Sequence, residues 1–479
     1  MEYISYKNSK INEKLRKENN EQYIKTKQEE EKEYFKTMFK NIDKNIKLDE
    51  EQIRIILIDE DYHMVIAGAG SGKTTTITAK VNYLIQKKKI KDNEILIISF
   101  TNKAVKELDE RINKEFKHNI KIQTFHKFGY DIIKENTTTK PKITKNTEKI
   151  IKEYFEKEII NDKENLKLLT EILIHFKIIK RKNKINQQLQ KNEKEYKNFI
   201  QICTHFISLY KSKDNKKIKP KKQIIKKFTI LMEDLTKYYQ KTLKENNEID
   251  FDDIINEADK IIITKKNKFN YKYIFIDEFQ DISESRYKLI KDIAQINNSK
   301  IMVVGDDWQC IYSFASSNLD IFTHFQKDIT KCEVSKITKT YRNSQQLIDI
   351  AGKFIQKNPY QIKKQLISEK QLNNPITIIK YKTNEKTKKL KEIIKYIIKK
   401  YGENKKILIL GRYTFDIKSI KDPEIKIEDN TIILKNYEKT IINYLTVHSA
   451  KGLGYDNVIL INTENKKLGF PSKKKQTNY

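Results

Sequence analysis

The sequence has little cysteine and no long apolar run, and each shortage excludes a class of protein. Its three cysteines, Cys203, Cys310 and Cys332, show no CxxC or other metal-ligand spacing and fit a reducing compartment. No apolar run approaches the ~20 residues that are needed to span a bilayer. The charged N-terminus lacks the apolar core of a signal peptide. We therefore expect a cytoplasmic protein that makes no contact with a membrane.

Arginine is also scarce, so the net charge of +32 over 479 residues comes almost entirely from lysine. One interpretation is a polyanionic partner such as nucleic acid. The other is compositional bias on solvated faces, because lysine, asparagine and isoleucine are abundant throughout the chain. One basic cluster is either a phosphate-tracking surface or a disordered, solvated loop, and comprises Lys213, Lys216, Lys217, Lys219, Lys221 and Lys222.

Hydrophobic patterning predicts an α/β protein with a helical block inserted into its first domain. Strand-like apolar runs such as 94–100 alternate with helical segments, give way to a purely helical period, and return at 273–276 and 301–304. Apolar spacing at 34–42 predicts an N-terminal helix that packs on the body or binds a partner. The predicted parts are a charged helical extension at 1–45, a first domain at 46–138 plus 247–334, a helical insertion at 139–246, and a second domain at 335–479 with strand candidates at 376–381, 407–410 and 458–461.

A glycine-rich stretch at 67–74 follows the apolar run 64–66 and precedes a helix-like segment. Strand, glycine turn and helix N-terminus in this order are the context of a P-loop. Glycines let backbone amides converge on phosphates, and the helix N-terminus adds partial positive charge. Lys73 is predicted to reach the β- and γ-phosphates, and the Thr74 hydroxyl to bind Mg²⁺. The predicted nucleotide-binding residues here are Ala67, Gly68, Ala69, Gly70, Ser71, Gly72, Lys73, Thr74 and Thr75.

Acidic residues close the strand-like run 273–276. At the carboxyl edge of a parallel sheet, Asp277 is predicted to hold Mg²⁺ and Glu278 to orient or deprotonate the attacking water. Such residues also serve as helix N-caps, but a P-loop in the same domain favours catalysis. Gln309, one strand on, could sense the γ-phosphate. Arg342 is either an arginine finger from the second domain or a surface arginine, and Tyr341 stacks on a purine or lies in the core.

Besides the P-loop, nine short motifs stand in one order along residues 48–472. They are 49–52 (Asp-Glu-Glu-Gln), 100–104 (Phe-Thr-Asn-Lys-Ala), 124–126 (Thr-Phe-His), 250–253 (Asp-Phe-Asp-Asp), 277–281 (Asp-Glu-Phe-Gln-Asp), 304–314 (Val-Gly-Asp-Asp-Trp-Gln-Cys-Ile-Tyr-Ser-Phe), 340–342 (Thr-Tyr-Arg), 446–453 (Thr-Val-His-Ser-Ala-Lys-Gly-Leu) and 469–472 (Gly-Phe-Pro-Ser). With them the chain resembles superfamily 1 DNA helicases of the UvrD/Rep type, and among these the DNA helicase IV type.

The resemblance implies two RecA-like P-loop domains with parallel sheets, a helical insertion in the first, and ATP bound between them. Gln52 matches the residue that reads adenine through its amide, and Tyr341 the aromatic that stacks on adenine. Lys73, Thr74, Asp277, Glu278, Gln309 and Arg342 match the phosphate, metal and water residues. Positions that match the single-strand channel, where aromatics stack on bases and small polar groups hold phosphates, are Phe100, Thr101, Asn102, Thr124, Phe125, His126, Tyr312, Phe314 and His448.

Three departures from the family pattern qualify what is expected. Gly454 stands where the family motif usually continues with glutamate. The span 342–446 is too short for the large second insertion of UvrD itself, which fits the compact helicase IV arrangement. After residue 472 the family's last motif, with a second arginine for the γ-phosphate, is not found, so we expect a second domain that is incomplete at its C-terminus.

These features imply an ATP-dependent DNA helicase or translocase of 3′-to-5′ polarity, active in repair or replication. It would use ATP and Mg²⁺ and act on single-stranded DNA and DNA junctions. Two alternatives stay open. One is a truncated protein that binds ATP and DNA with weak or no hydrolysis, completed by a separately encoded C-terminal fragment. The other is a binding factor for RNA polymerase that uses ATP as a switch.

Overall fold

The computed structural model describes residues 2–175, 193–211, 223–265, 269–311, 319–329, 331–465 and 469–470. The predicted DNA contacts Tyr312 and Phe314 and the cluster of lysines at 213–222 lie outside these ranges. The chain divides into two compact units. The first comprises Met1–Lys339 and Asn358–Gln365, and the second comprises Thr340–Lys357 and Leu366–Tyr479.

The first unit is built on a six-stranded, all-parallel sheet in the order β3-β2-β6-β7-β1-β8. Its central strands are continuous apolar runs because helices cover both faces, as is usual for parallel sheets. The α/β class predicted from the sequence is confirmed. The strands of this sheet are β1 (Tyr62–Ala67), β2 (Ile95–Ser99), β3 (Lys121–Thr124), β6 (Tyr273–Ile276), β7 (Lys300–Gly305) and β8 (Glu333–Ile337); the short strands β4 (Lys142–Ile143) and β5 (Glu248–Ile249) pair with each other elsewhere.

Alternate residues of each strand enter two separate cores. In β1, Val65 and Ala67 pack with Ile77 on one face, whereas Met64 and Ile66 enter the core on the other face. This two-residue period is the ordinary consequence of strand geometry. The helices around the sheet are α3 (Glu50–Leu57), α4 (Lys73–Gln86), α5 (Asn102–Asp109), α6 (Phe125–Asn136), α11 (Phe251–Lys265), α12 (Glu284–Asn297) and α13 (Leu319–Asp328).

The N-terminal extension packs against this unit, as the apolar spacing at 34–42 predicts. It forms α1 (Glu13–Glu30) and α2 (Lys32–Thr37). Tyr23 and Phe35 enter one buried cluster with Ile56 of α3 and Tyr83 of α4, and the rings of Phe35 and Tyr83 stack with centroids 5.7 Å apart. The extension therefore covers the outer surface of the helix that begins at the glycine-rich loop.

The helical insertion has a core of its own, formed by α7 (Thr147–Tyr154), α8 (Lys163–His175), α9 (Glu193–Lys211) and α10 (Gln223–Glu245). Phe199, Cys203 and Phe206 share the buried face that their spacing predicts. Lys211 at the end of α9 is buried and donates to Asp250, which precedes α11, and to Asp253 in its first turn. This ion pair ties the insertion to the α/β body.

The second unit has a five-stranded sheet in the order β10-β11-β12-β9-β13, of which β12, β9 and β13 are parallel and β10 and β11 antiparallel. Leu390 and Ile394 of its longer helix pack on Ile407 and Ile409. The elements are α14 (Gln345–Ile355), α15 (Lys386–Tyr401), β9 (Ile407–Gly411), β10 (Ile425–Glu428), β11 (Thr431–Leu434), β12 (Ile442–Thr446) and β13 (Asn457–Leu460). None of the helices in the described ranges is long and apolar enough to cross a membrane.

Two sequence-based predictions, one domain boundary and one strand, differ from the structure. The prediction starts the second domain at 335, but β8 pairs with β1 in the first sheet, so the first unit continues to Lys339. The strand predicted at 376–381 was wrong, because no strand of the described chain pairs with this segment. Its run of β-branched residues has strand propensity, yet Ile378 remains 83% exposed. Propensity without a neighbouring strand does not make a strand.

Candidate functional site

The glycine-rich loop joins the end of β1 to the start of α4, as predicted. Gly70 and Gly72 have φ of 73° and 82°, in the left-handed region that favours glycine. A Cβ atom on Gly72 would also lie 2.7 Å from Nε2 of Gln52. Ser71 is buried and its Oγ donates to the carbonyl of Gly68 at 2.9 Å. A hydrogen bond inside the loop thus stabilises its conformation. The first-turn amides of α4, which have no acceptor within the helix, can bind an anion.

Lys73, the first residue of α4, lies beside the carboxylates that follow β6. Its Nζ is 3.4 Å from Oε1 of Glu278. Burial lowers the pKa of Lys73, but the charges of Glu278, Asp306 and Asp277 outweigh it, so the net shift is upward. The ammonium group therefore stays charged where a phosphate would need it.

Asp277 is held rigidly between two strands. Its backbone amide donates to the carbonyl of Ile98 at 3.0 Å, and its Oδ1 accepts from the amide of Glu278 at 2.9 Å. Burial, with the neighbouring charge of Glu278, raises the pKa of Asp277 to about 7. Glu278 itself has φ of 54°, an uncommon conformation for a residue with a side chain, at the strand end where the sequence predicts catalysis.

Gln280 connects these carboxylates to the end of β7. Its Nε2 donates to Oε2 of Glu278 at 2.5 Å, and its Oε1 accepts from the amide of Asp306 at 2.9 Å. Gln309, predicted as the γ-phosphate sensor, donates from Nε2 to Oδ2 of Asp306 at 2.5 Å. One hydrogen-bonded network therefore runs from Lys73 to Gln309. The sequence placed Gln280 in a motif but indicated no role for it.

Gln52 also lies at the glycine-rich loop. The N-terminus of α3 is a capping box, in which the side chain of Asp49 accepts from the amide of Gln52 and Oε1 of Gln52 accepts from the amide of Asp49. Nε2 of Gln52 approaches the carbonyl of Ser71 at 3.4 Å. The cap fixes a side chain that is only 2% exposed next to the P-loop.

Thr74 and Asp277 are the residues predicted to bind Mg²⁺. Among the described residues no group of three or more His, Cys, Asp and Glu side chains could hold a metal ion. Mg²⁺ bound with a nucleotide keeps several waters and phosphate oxygens and needs only one or two protein oxygens. One hydroxyl and one carboxylate therefore fit this ion, whereas they would not fit a structural metal site.

The residues predicted to contact single-stranded DNA in the first unit follow two adjacent strands. Ser99 of β2 lies opposite Thr124 of β3, so Phe100 and Phe125 directly follow neighbouring strand ends, and their ring centroids are 5.1 Å apart. Phe125 is 1% exposed and supports Phe100 from the core. Thr101 and Thr124 accept from backbone amides as N-caps of α5 and α6, and Asn102 is exposed at the start of α5.

Arg286 on α12 completes this surface, and the sequence did not identify it. Its guanidinium lies 5.4 Å from the ring centroid of Phe100, and its NH2 atom lies 3.4 Å from Nε2 of His126. Burial and the charge of Arg286 lower the pKa of His126 to about 4, so this imidazole is neutral at physiological pH. The ring of Phe251, 54% exposed, meets His126 edge-on at 5.0 Å. Aromatic rings around an arginine suit a strand of stacked bases and phosphates.

Comparison with known proteins decides the family. Residues 48–330 match the UvrD/REP helicase N-terminal domain. The chain belongs to the UvrD/Rep helicase family. The chain is 31% identical to a probable DNA helicase II homolog of Mycoplasma capricolum over 382 residues. This alignment covers 76% of the chain and 49% of that relative. It is 27% identical to DNA helicase IV of Escherichia coli over 451 residues, an alignment that covers 89% of the chain and 62% of that relative.

A third relative is the ATP-dependent DNA helicase Rep of Buchnera aphidicola from Acyrthosiphon pisum, 30% identical over 435 residues, which covers 86% of the chain and 62% of the relative. The chain spans about half to three-fifths of the length of these curated relatives. The match to the family covers the whole network from Gln52 to Gln309, but not the N-terminal extension that packs behind it.

Three of the predicted site residues of this UvrD/Rep family member belong to its second unit. Tyr341 and Arg342 are exposed beside the buried Thr340, and the carbonyl of Arg342 accepts from Nζ of Lys370 at 3.5 Å. His448 follows β12 in a loop in which the hydroxyls of Thr446 and Ser449 are 2.8 Å apart. The residues from Gln52 to Gln309 are thus brought together within the first unit, while these three are carried by the second.

Proposed function

We propose that this chain is an ATP-driven motor that moves along single-stranded DNA with 3′-to-5′ polarity and separates duplex DNA during repair or replication. The observation that carries the proposal is the shared sheet edge. The network from Lys73 to Gln309 follows β1, β6 and β7, whereas Phe100 and Phe125 beside Arg286 follow β2 and β3, so both sites lie at the carboxyl edge of one parallel sheet.

The proposed reaction is attack of water on the γ-phosphorus of ATP, which releases ADP and phosphate. Glu278 orients this water and accepts its proton, while Lys73 and the amides at the start of α4 neutralise the phosphate oxygens. Mg²⁺, held by Thr74 and Asp277, supplies further charge neutralisation when bound. Gln52 selects adenine. By family resemblance, Arg342 stabilises the transferring phosphoryl group and Tyr341 stacks on the base.

The proposed DNA contacts are independent of sequence. Phe100 and Phe251 present aromatic faces on which any base can stack, and Arg286 attracts the backbone. Asn102 and the N-cap regions of α5 and α6 offer polar groups to phosphates, with Tyr312, Phe314 and His448 as further contacts by family resemblance. The net charge of +32 supports a polyanionic partner.

The test is an ATPase assay with and without single-stranded DNA, followed by a strand-separation assay on a duplex with a 3′ single-stranded tail and one with a 5′ tail. We expect hydrolysis that DNA stimulates and that Lys73→Ala abolishes. The charge-matched control is Lys149→Ala in the helical insertion, whose side chain is 74% exposed. ATP binding without any hydrolysis in the presence of DNA would contradict the motor and support a nucleotide-switched binding protein. Preference for the 5′-tailed duplex would contradict the polarity.

A further inference from the structure

Residues 358–365, which we call the strap, return to the first unit from the middle of the second. Residues 340–357 before it and residues from 366 onward belong to the second unit, but the strap itself belongs to the first. No motif of the sequence marks this segment. Its lysines, Lys363 and Lys364, resemble the many others of a lysine-rich chain.

Lys364 is nevertheless almost completely buried. Its Nζ donates to Oδ1 of Asp306 at 2.5 Å and to Oδ1 of Asp307 at 2.7 Å, and the three side chains are 2%, 1% and 0% exposed. The ammonium also lies 4.9 Å from the ring of Trp308. Lys364 thus places one positive charge between two adjacent buried carboxylates, and removal of this lysine would leave both without their buried ion-pair partner.

The backbone of the strap reinforces this contact. The amide of Ile362 donates to Oδ2 of Asp307 at 2.7 Å, and Nε1 of Trp308 donates to the carbonyl of Ile362 at 3.3 Å. Residues 306–308 are thus bonded to the strap by side chains and by main chain. The loop that carries Gln309 has its position set by a segment more than 50 residues further along the chain.

The other side of Asp306 faces the proposed catalytic residues. It accepts from Gln309, and its amide donates to Gln280, which donates in turn to Glu278. The backbone next to Asp306 is closely packed. A Cβ on Gly305 would lie 2.6 Å from the ring of Phe322 and 2.7 Å from Oε1 of Gln280. A displacement of Asp306 must therefore move Gln309, Gln280 or both.

We propose that Lys364 is a positioning residue for ATP hydrolysis, which holds Asp306 and Asp307 so that Gln309 and Glu278 face the γ-phosphate. This inference rests on the proposed function. Lys364 contacts neither nucleotide nor DNA in this proposal and acts only through the two aspartates.

The chain offers a closely matched control in Lys211. This lysine is also buried, with a side chain 1% exposed, and also bridges two aspartates, Asp250 at 2.6 Å and Asp253 at 2.7 Å, but it secures the helical insertion. Lys364→Met and Lys211→Met therefore remove the same kind of ion pair from the same unit. Lys364→Arg keeps the charge and tests whether the bridge rather than the ammonium matters.

The first measurement is kcat and KM for ATP at saturating single-stranded DNA, together with thermal unfolding. A misplaced catalytic group costs on the order of 10²-fold in rate. We expect Lys364→Met to lower kcat about 100-fold with KM changed less than about threefold, Lys364→Arg to recover part of the loss, and Lys211→Met to lower only the unfolding temperature. Equal kcat values for Lys364→Met and the unsubstituted chain, or an equal fall in both methionine variants, would overturn the proposal.

The second measurement uses Trp308, the single tryptophan of the chain. Its emission should change when a non-hydrolysable ATP analogue binds, and this change should be lost in Lys364→Met but kept in Lys211→Met. If Lys364→Met does not fold, Asp307→Asn with Lys364→Met removes one of the two buried charges and is measured in its place. An unsubstituted chain without ATPase activity would contradict the proposed function alone; retention of the emission change in Lys364→Met would contradict the positioning role.

Discussion

Nζ of Lys73 lies 3.4 Å from Oε1 of Glu278, so the first residue of α4 and the second residue after β6 share one ion pair at the carboxyl edge of the sheet. Each of these groups has a different task in the proposed reaction. The lysine neutralises phosphate, and the carboxylate activates water. A triphosphate carries more charge than one carboxylate, so we expect it to replace Glu278 as the ion-pair partner of Lys73. Glu278 is then able to bind the attacking water.

This division of tasks predicts that Glu278→Gln separates binding from hydrolysis. Loss of a general base typically costs 10²- to 10⁴-fold in rate, and we expect a fall of that order in kcat with ATP affinity kept, measured by single-turnover hydrolysis and by binding of a fluorescent ATP analogue. The control is Glu257→Gln on α11, whose partner Lys260 is 3.2 Å away at the surface. A kcat reduced less than tenfold in Glu278→Gln would assign the base elsewhere.

Gln52→Glu should reduce the preference for adenine without disturbing α3. Glutamate at this position still completes the capping box, so the helix start is retained. The carboxylate can accept but not donate, and one of the two hydrogen bonds to adenine is lost. We expect KM for ATP to rise about tenfold and the turnover of GTP to change little. The ratio of ATP to GTP turnover therefore falls. An unchanged nucleotide preference would argue that Gln52 serves only the loop.

Phe100→Ala should weaken binding of single-stranded DNA. Base stacking on an aromatic side chain is worth about 1–3 kcal/mol per base, which predicts a loss of roughly 5- to 150-fold in affinity by fluorescence anisotropy with a labelled oligonucleotide. Phe354→Ala is the control, since that ring is 74% exposed on α14 outside the proposed surface. Equal affinities for both variants would remove Phe100 from the DNA site.

The N-terminal extension should contribute to stability through one buried ion pair. NH1 of Arg16 donates to Oε2 of Glu60 at 2.8 Å, with side chains 2% and 0% exposed, and also to the carbonyl of Ile4. Removing one partner of a buried pair costs about 3–5 kcal/mol because the other charge is left unpaired. Arg16→Met should lose that much in chemical unfolding, whereas Lys17→Met, which breaks an exposed pair with Glu13, should unfold at nearly the same denaturant concentration as the unsubstituted chain.

Lys80 predicts a rise of stability with pH. Its Nζ donates to the carbonyls of Ile56 and Ile58, and burial lowers the pKa of Lys80 to about 7. Between pH 7 and about 10.5 the unfolded chain binds this proton and the folded chain does not, so the free energy of unfolding increases with pH by up to about 1.4 kcal/mol per unit. Below pH 7 both forms are protonated and this contribution is at its lowest.

The comparison to make is chemical unfolding of the unsubstituted chain and of Lys80→Met at pH 7.0, 8.0 and 9.0. The other titrating groups are common to both, so the difference between the two curves isolates Lys80. We expect the methionine variant to have the flatter profile across this window. Parallel profiles would mean that Lys80 remains protonated in the folded chain.

The sequence by itself determined those parts of the site that depend on neighbouring residues along the chain. The strand, glycine turn and helix of 62–86 and the acidic pair at the end of a strand were predicted because backbone conformation depends on residues that are close along the chain. Two-sided burial likewise makes a parallel strand recognisable as a short apolar run, and the α/β class followed from such runs.

Only the tertiary structure decided which polar residues are buried and what they join. Lys364 reaches Asp306 across 58 residues of sequence, and Arg286 meets Phe100 and His126 from a different helix. The run at 376–381 has strand propensity but no neighbour. Buried charges are stabilised, and strands are paired, by groups that are distant along the chain. A local sequence pattern does not show whether the fold brings those groups into contact.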